Sequence, residues 1–143
     1  SYNYVNLSLA VHCEDGLLAP VIRGTNAMSL SQIAAARERV VHRTKNRLLT
    51  NDELEGGTFT LSNLGNSCVT HFTPIINYPQ SAILGVGKTE KRPVVVGDTI
   101  EIRSVTYFSL TLDHMLIDGR DGDRFFVELD KVLKEKPEYF RLV

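Results

Sequence analysis

Hydrophobic and polar positions alternate from the start of the chain. Val5, Leu7, Leu9 and Val11 interleave with Asn6, Ser8, Ala10 and His12, a period of two that predicts a strand with one buried face. Glu14-Asp15-Gly16 has turn chemistry, because Asp-Gly readily supplies the positive φ of a hairpin. Leu17 to Ile22 reads as the return strand, with Pro20 pushing it toward a sheet edge or bulge. The period then changes. Ser29 and Gln32 have the spacing of a capping box, and Leu30, Ile33, Ala34, Val40 and Val41 make an apolar stripe at helical spacing. Thr50 and Glu53 predict a cap on a further short turn, ended by Gly56-Gly57.

Strand signals return after that. Thr58 to Asn63 alternates with Phe59 and Leu61 on one face, and Ser81 to Gly87 is a compact apolar run. Pro93 to Val96, Gly97-Asp98 and Thr99 to Arg103 predict a strand, a tight turn and a strand. Val105, Tyr107, Leu110 and Leu112 predict a long strand running into Asp113-His114. Its alternation shifts phase near Phe108, which fits a bulge or burial on two sides. A last helix begins near Gly119 to Asp123, with Phe125, Phe126, Leu129, Val132 and Leu133 as its apolar side and Pro137 as its stop. Hairpins mixed with two helices predict an α+β or mixed α/β class rather than a regular βαβ array.

Composition narrows the picture. The 143 residues suffice for one domain with its own core. A hydrophobic share of 43% and a charged share of 23% are ordinary globular values. Sixteen Lys and Arg against seventeen Asp and Glu give a net charge of -1, so a broad nucleic-acid surface has little support. The basic run Arg37, Arg39, Arg43, Lys45 and Arg47 reads as a solvated helix face. No apolar run approaches the roughly 18 residues of a membrane span, and no signal-peptide pattern opens the chain. Cys13 and Cys68 make neither a disulfide framework nor a four-thiolate zinc site, so a reducing compartment is expected.

Several motifs tempt and fail. Gly85-Val86-Gly87-Lys88-Thr89 lacks the first glycine of a phosphate loop, which falls at Ala82, and Pro93 marks extended chain where a helix should open. Cys68 and His71 lack a second pair of metal ligands. Asp118, Asp121 and Asp123 do not have calcium-loop spacing and fit the acidic start of a helix. No metal is therefore expected. His114 stands apart. It lies where a strand ends, followed by an acid four residues on, a glycine and a helix start, a compact turn able to hold an imidazole in one tautomer at a pocket mouth.

Those residues carry a resemblance. His114-Met115-Leu116-Ile117-Asp118-Gly119 resembles the His-x-x-x-Asp-Gly motif of the catalytic domain of 2-oxoacid dehydrogenase dihydrolipoamide acyltransferases, the E2 components, which share the chloramphenicol acetyltransferase fold. Gly56 to Gly65, Phe72 to Asn77, Ala82 to Gly87 and Glu14 to Ile22 match the family's segments in the same order. The resemblance covers essentially the whole of 1–143 and implies a mixed sheet with flanking helices. It also implies that the family's catalytic domain begins well before Ser1, so that 1–143 is expected to be a partial domain, either a fragment of a longer chain or a natural short homologue. The lipoyl group is then expected on a domain outside this chain, as are the domains that bind the E1 and E3 components.

The function implied is transfer of an acyl group between dihydrolipoamide and coenzyme A. His114 is the implied general base, Ser62 the implied hydroxyl donor to the oxyanion, and Asp118 the implied residue that orients the turn and takes part in the site. Asn63, Ile83, Gly85 and Val86 fall in segments that approach coenzyme A. A thiol with a pKa of roughly 8.5 is mostly protonated at neutral pH, and an imidazole with a pKa of about 6.5 is mostly neutral, so the pair is matched for proton transfer. The family builds its site between trimer neighbours, with the histidine from one subunit and the serine from the next. A homotrimer assembling into a cubic or dodecahedral core is thus implied, in a bacterial cytoplasm or a mitochondrial matrix, with no nucleic-acid or membrane partner. Two departures stand out. Met115 occupies a position where the family usually has Arg, and Asn66 to His71 lacks the glycines common there. The missing N-terminal part and Met115 leave room for a non-catalytic core subunit of such a complex, and a small-molecule acetyltransferase of the chloramphenicol type is a third reading.

Overall fold

The structure, a computed structural model, describes residues 3–14 and 16–135. The chain forms two compact units, Ser1–Thr111 and Leu112–Val143.

The first unit opens with β1 (Leu7–Leu9), β2 (Val11–Cys13), β3 (Gly16–Leu18) and β4 (Val21–Ile22). The expected single strand over 5–11 is thus two. The strand is interrupted at Ala10, whose amide donates to the Leu61 carbonyl at 3.0 Å. β2 and β3 pair as the hairpin, with Cys13 opposite Gly16 and Gly16 at a φ of 125°. Asp15 of that turn lies outside the described residues. The return strand is likewise split by Ala19-Pro20. β4 sits at the edge of the main sheet, where the proline removes no ladder bond.

Ser29 caps α1 (Leu30–Lys45) through both bonds of the expected capping box, Gln32 N–H to Ser29 Oγ and Ser29 N–H to Gln32 Oε1. The buried stripe is Ala36, Val40 and Thr44. Leu30 and Ala34, expected inside, face outward. Ala36 and Val40 pack with Leu9, Val11 and Ile22 to form the main core cluster. A 3-10 turn at Asn51–Glu53 follows, capped by Thr50.

β5 (Phe59–Asn63), β6 (Ala82–Val86) and β9 (Phe108–Leu112) complete a mixed five-stranded sheet in the order β4-β1-β5-β6-β9. β1, β5 and β6 run parallel. β7 (Glu90–Val96) and β8 (Thr99–Val105) form a separate two-stranded ribbon turning at Gly97, φ 59°. The long strand expected from Val105 to Leu112 is therefore two strands in different sheets. The phase shift near Phe108 marks that change of sheet rather than a bulge.

One sheet face carries Leu9 and Leu61 against the α1 core. The other carries Ser8 and Thr60, paired in register and both almost fully buried. Gln80, from the long β5–β6 connection, donates to Ser8 Oγ at 2.9 Å and accepts from Thr60 Oγ1 at 2.6 Å. Polar groups buried this deeply persist only when paired, and among the described residues no buried side-chain N or O lacks a partner. Leaving Ser8 and Thr60 unpaired would cost roughly 1–3 kcal/mol for each group.

In the second unit α2 (Gly119–Glu135) turns its less exposed line, Gly122, Phe125, Leu129 and Leu133, to one side. Phe126 and Val132, expected on that line, are exposed. The expected stop at Pro137 lies outside the described residues.

Candidate functional site

Ser62 is the fourth residue of β5, half-buried, on the same sheet face as Thr60. Parallel pairing sets it opposite Gly85 of β6, while Asn63 faces Val86 and Thr60 faces Ile83. The expected serine and the four expected ligand-contacting positions therefore share one strip of two adjacent strands. Along that strip the backbone is in use. Leu64 N–H donates to the Val86 carbonyl, and Asn63 Oδ1 accepts the Gly65 N–H at 2.7 Å. Among the described residues the Ser62 hydroxyl has no hydrogen-bond partner, so it is free to donate to an incoming oxygen.

Gly85 explains why a glycine interrupts an apolar strand. A Cβ there would lie 2.9 Å from Phe72 Cζ and 3.2 Å from the Pro74 ring. The β5–β6 connection presses on this bare backbone directly across from Ser62. Sequence reading missed Phe72 and Pro74 as wall residues; the signal was the glycine itself, since strand glycines mark close approach. Thr60 and Ile83 also floor a cleft of about 360 Å³, walled by Leu17, Leu18, Ile75 and Ile76. No helix follows Lys88-Thr89. Glu90 opens β7 instead, as Pro93 predicts.

His114 and Asp118 belong to the second unit, on the turn between β9 and α2. Asp113 anchors that turn. Its carbonyl accepts the Leu116 and Ile117 amides at 3.0 and 2.9 Å, and its Oδ1 accepts the Met115 amide at 3.0 Å. Asp118 Oδ1 accepts from Arg120 N at 2.9 Å and Asp121 N at 3.1 Å, a carboxylate at the positive end of α2. The carboxylate of Asp118 thus serves the helix start, not the imidazole. His114 is exposed, and among the described residues its ring makes no hydrogen bond. Both of its nitrogens are available to a substrate. Serine strip and histidine turn lie in different units of the chain. Among the described residues no three His, Cys, Asp or Glu side chains converge on a metal site, and no helix is long and apolar enough to cross a membrane.

A mixed α+β sheet thus carries a strand serine and, on a strand–helix turn, a histidine, neither with a side-chain hydrogen-bond partner among the described residues. The chain belongs to the family of 2-oxoacid dehydrogenases acyltransferase (catalytic domain), whose model matches residues 1–141. It is 44% identical over 136 residues to the dihydrolipoyllysine-residue succinyltransferase component of the 2-oxoglutarate dehydrogenase complex of Rickettsia typhi, covering 95% of this chain and 34% of that protein. It resembles a solved structure of Azotobacter vinelandii dihydrolipoamide acetyltransferase, studied for the role of a serine, a histidine and an asparagine in its catalytic mechanism. The TM-score is 0.88 and the identity 40%, over 92% of this chain and 54% of that one. The cubic core of a pyruvate dehydrogenase multienzyme complex matches with a TM-score of 0.88 and 39% identity, over the same shares. The chain thus spans about a third of the Rickettsia relative and about half of each solved chain.

Proposed function

We propose that the chain carries the catalytic groups of a dihydrolipoamide acyltransferase, moving an acyl group between dihydrolipoamide and coenzyme A. One observation carries this reading. The serine, histidine and asparagine studied in the Azotobacter enzyme are 52 and 4 positions apart, and Ser62, His114 and Asp118 have the same separations. That neither the Ser62 hydroxyl nor the His114 ring has a hydrogen-bond partner among the described residues supports the same roles. His114 takes the proton of the coenzyme A thiol. The thiolate attacks the thioester carbonyl carbon, and the carbonyl electrons move onto oxygen. Ser62 O–H donates to that oxyanion. Collapse breaks the bond to the dihydrolipoyl sulfur, which recovers the proton from the imidazolium. Asn63, Ile83, Gly85 and Val86 form the strip along which coenzyme A lies. The site is completed between copies of the chain, His114 from one and Ser62 from the next, in a trimer that builds a larger core. The lipoyl group arrives on a separate domain. Residues 1–143 form part of a catalytic domain, and the acyl group is one of those the family carries.

Acyl transfer from a synthetic acyl-dihydrolipoamide to coenzyme A tests this, measured on this chain and on one carrying further family sequence at its N-terminus. General base removal typically costs ~10²–10⁴-fold, and loss of an oxyanion donor roughly 10²–10³-fold. His114→Ala is expected to be the more damaging of the two changes, with Ser62→Ala next. Full activity in His114→Ala would refute the mechanism. Silence of the extended wild-type chain would favour a core subunit without turnover.

A further inference from the structure

We infer that Asp113 is a positioning residue, whose side chain holds the His114 turn in shape by accepting the Met115 N–H. This rests on the reading of His114 as the proton acceptor and extends it by one residue. No side-chain bond fixes the imidazole among the described residues, so the backbone of 113–117 sets where it points. Packing holds only the two ends of that segment, at the half-buried Asp113 and Ile117. Met115 is 92% exposed and Leu116 73% exposed, so neither anchors the turn in a core. Hydrogen bonds remain. Two of them reach the Asp113 carbonyl, from Leu116 and Ile117, and any residue at 113 can supply that carbonyl. The third, from Met115 N–H, needs a side-chain acceptor of the right length. Asp113 alone supplies it, while Asp118 Oδ1 accepts from Arg120 and Asp121 at the start of α2. Asp113 is half-buried at the strand exit while the three residues after it are exposed, so it ties the loose part of the turn to the fixed part. The function needed is that of an acceptor rather than a charge. Asparagine therefore suffices, serine serves more weakly, and alanine fails.

Steady-state kinetics with coenzyme A and acyl-dihydrolipoamide on the active oligomer test the inference, using Asp113→Asn, Asp113→Ser, Asp113→Ala and His114→Ala. Displacing a catalytic group by ~1 Å can cost about 10²-fold. Asp113→Ala is expected to lower kcat by about 10- to 100-fold while both KM values stay within about twofold. Asp113→Asn is expected to restore kcat to within about threefold of the parent, with Asp113→Ser between. The Asn and Ser variants keep the comparison open should alanine fail to fold. Wild-type kcat in Asp113→Ala overturns the inference, as does an Asp113→Asn as slow as alanine. Uniform loss through raised KM also overturns it, since that indicates lost binding. An inactive His114→Ala beside a normal Asp113→Ala sinks this inference alone. An active His114→Ala sinks the reading beneath it.

Discussion

Asp118 offers two backbone amides one oxygen, and an amide oxygen can do the same. The Azotobacter relative has asparagine at the equivalent spacing. Asp118→Asn is therefore expected to leave turnover within about threefold of the parent and the melting temperature nearly unchanged, because the cap survives. Asp118→Ala removes it and is expected to cost about 1 kcal/mol, read as a lowered midpoint in urea. A charge-dependent role for Asp118 would show as a large loss of turnover in the Asn variant. Gly85 belongs to the same scale. A methyl group there must displace Phe72 and Pro74, at a cost of roughly 1–3 kcal/mol. Gly85→Ala is expected to lower stability and to disturb the surface beside Ser62, with activity falling more than stability alone explains. Ser62, His114 and Asp118 were readable as letters in short motifs. Phe72 was not, because its contact with Gly85 is made by a connection that returns across the sheet, and nothing local in the sequence encodes that return.

At the scale of elements, local chemistry was the most legible. The Ser29 and Gln32 box, the Thr50 cap and the Gly97 turn each depend on residues within a few positions of one another, and each formed. The strand over 105–112 failed because the chain changes sheet near Phe108, and the reading of 5–11 as one strand with a polar open face failed for another reason. Alternation reports a buried face, not which neighbour covers it, and here Ser8 is buried by Gln80, 72 residues away. Long-range polar pairs also tie α1 to the turn after it. Arg43 Nε and Nη2 donate to Glu53 Oε1 and Oε2 at 2.9 and 2.8 Å, and Nη2 also donates to the Leu48 carbonyl. The Arg43 guanidinium, then the Thr50 amide, hold the Glu53 carboxyl down at about 2 from an ordinary 4.5. A carboxyl whose folded pKa is depressed adds stability above its unfolded pKa and loses it as the folded pKa is approached. The contribution is therefore present above about pH 4.5 and fades as pH falls toward 2. Thermal melts of the parent and Glu53→Gln should differ at pH 6 and converge as the solution is acidified through that window. A gap that persists unchanged to pH 2 would show that packing, not charge, is responsible.

For the whole molecule, the outward face of the β7–β8 ribbon matters first. Val95, Ile100 and Ile102 on it are each at least 75% exposed, with Val95 directly opposite Ile100. Contiguous bare apolar side chains of this kind favour cover by another surface. Ile100→Lys tests whether a second copy is that cover: a shift toward monomer in light scattering is expected, and an unchanged oligomer would show that the assembly leaves this face bare. A site completed between copies makes a sharper demand. Let His114→Ala and Ser62→Ala chains be unfolded together and reassembled. In a closed three-fold ring each interface joins the histidine of one chain to the serine of the next. Every mixed trimer then contains one interface at which the Ser62→Ala chain gives its intact histidine and the His114→Ala chain gives its intact serine. Random mixing of equal amounts makes about three-quarters of the rings mixed, each with one good site in three, so about a quarter of parental activity should return. Neither variant alone reaches that level, since each loses roughly 10²-fold or more. Activity no higher than the average of the two separate variants would mean that the serine and the histidine act within one chain, and the subunit-spanning site would have to be given up.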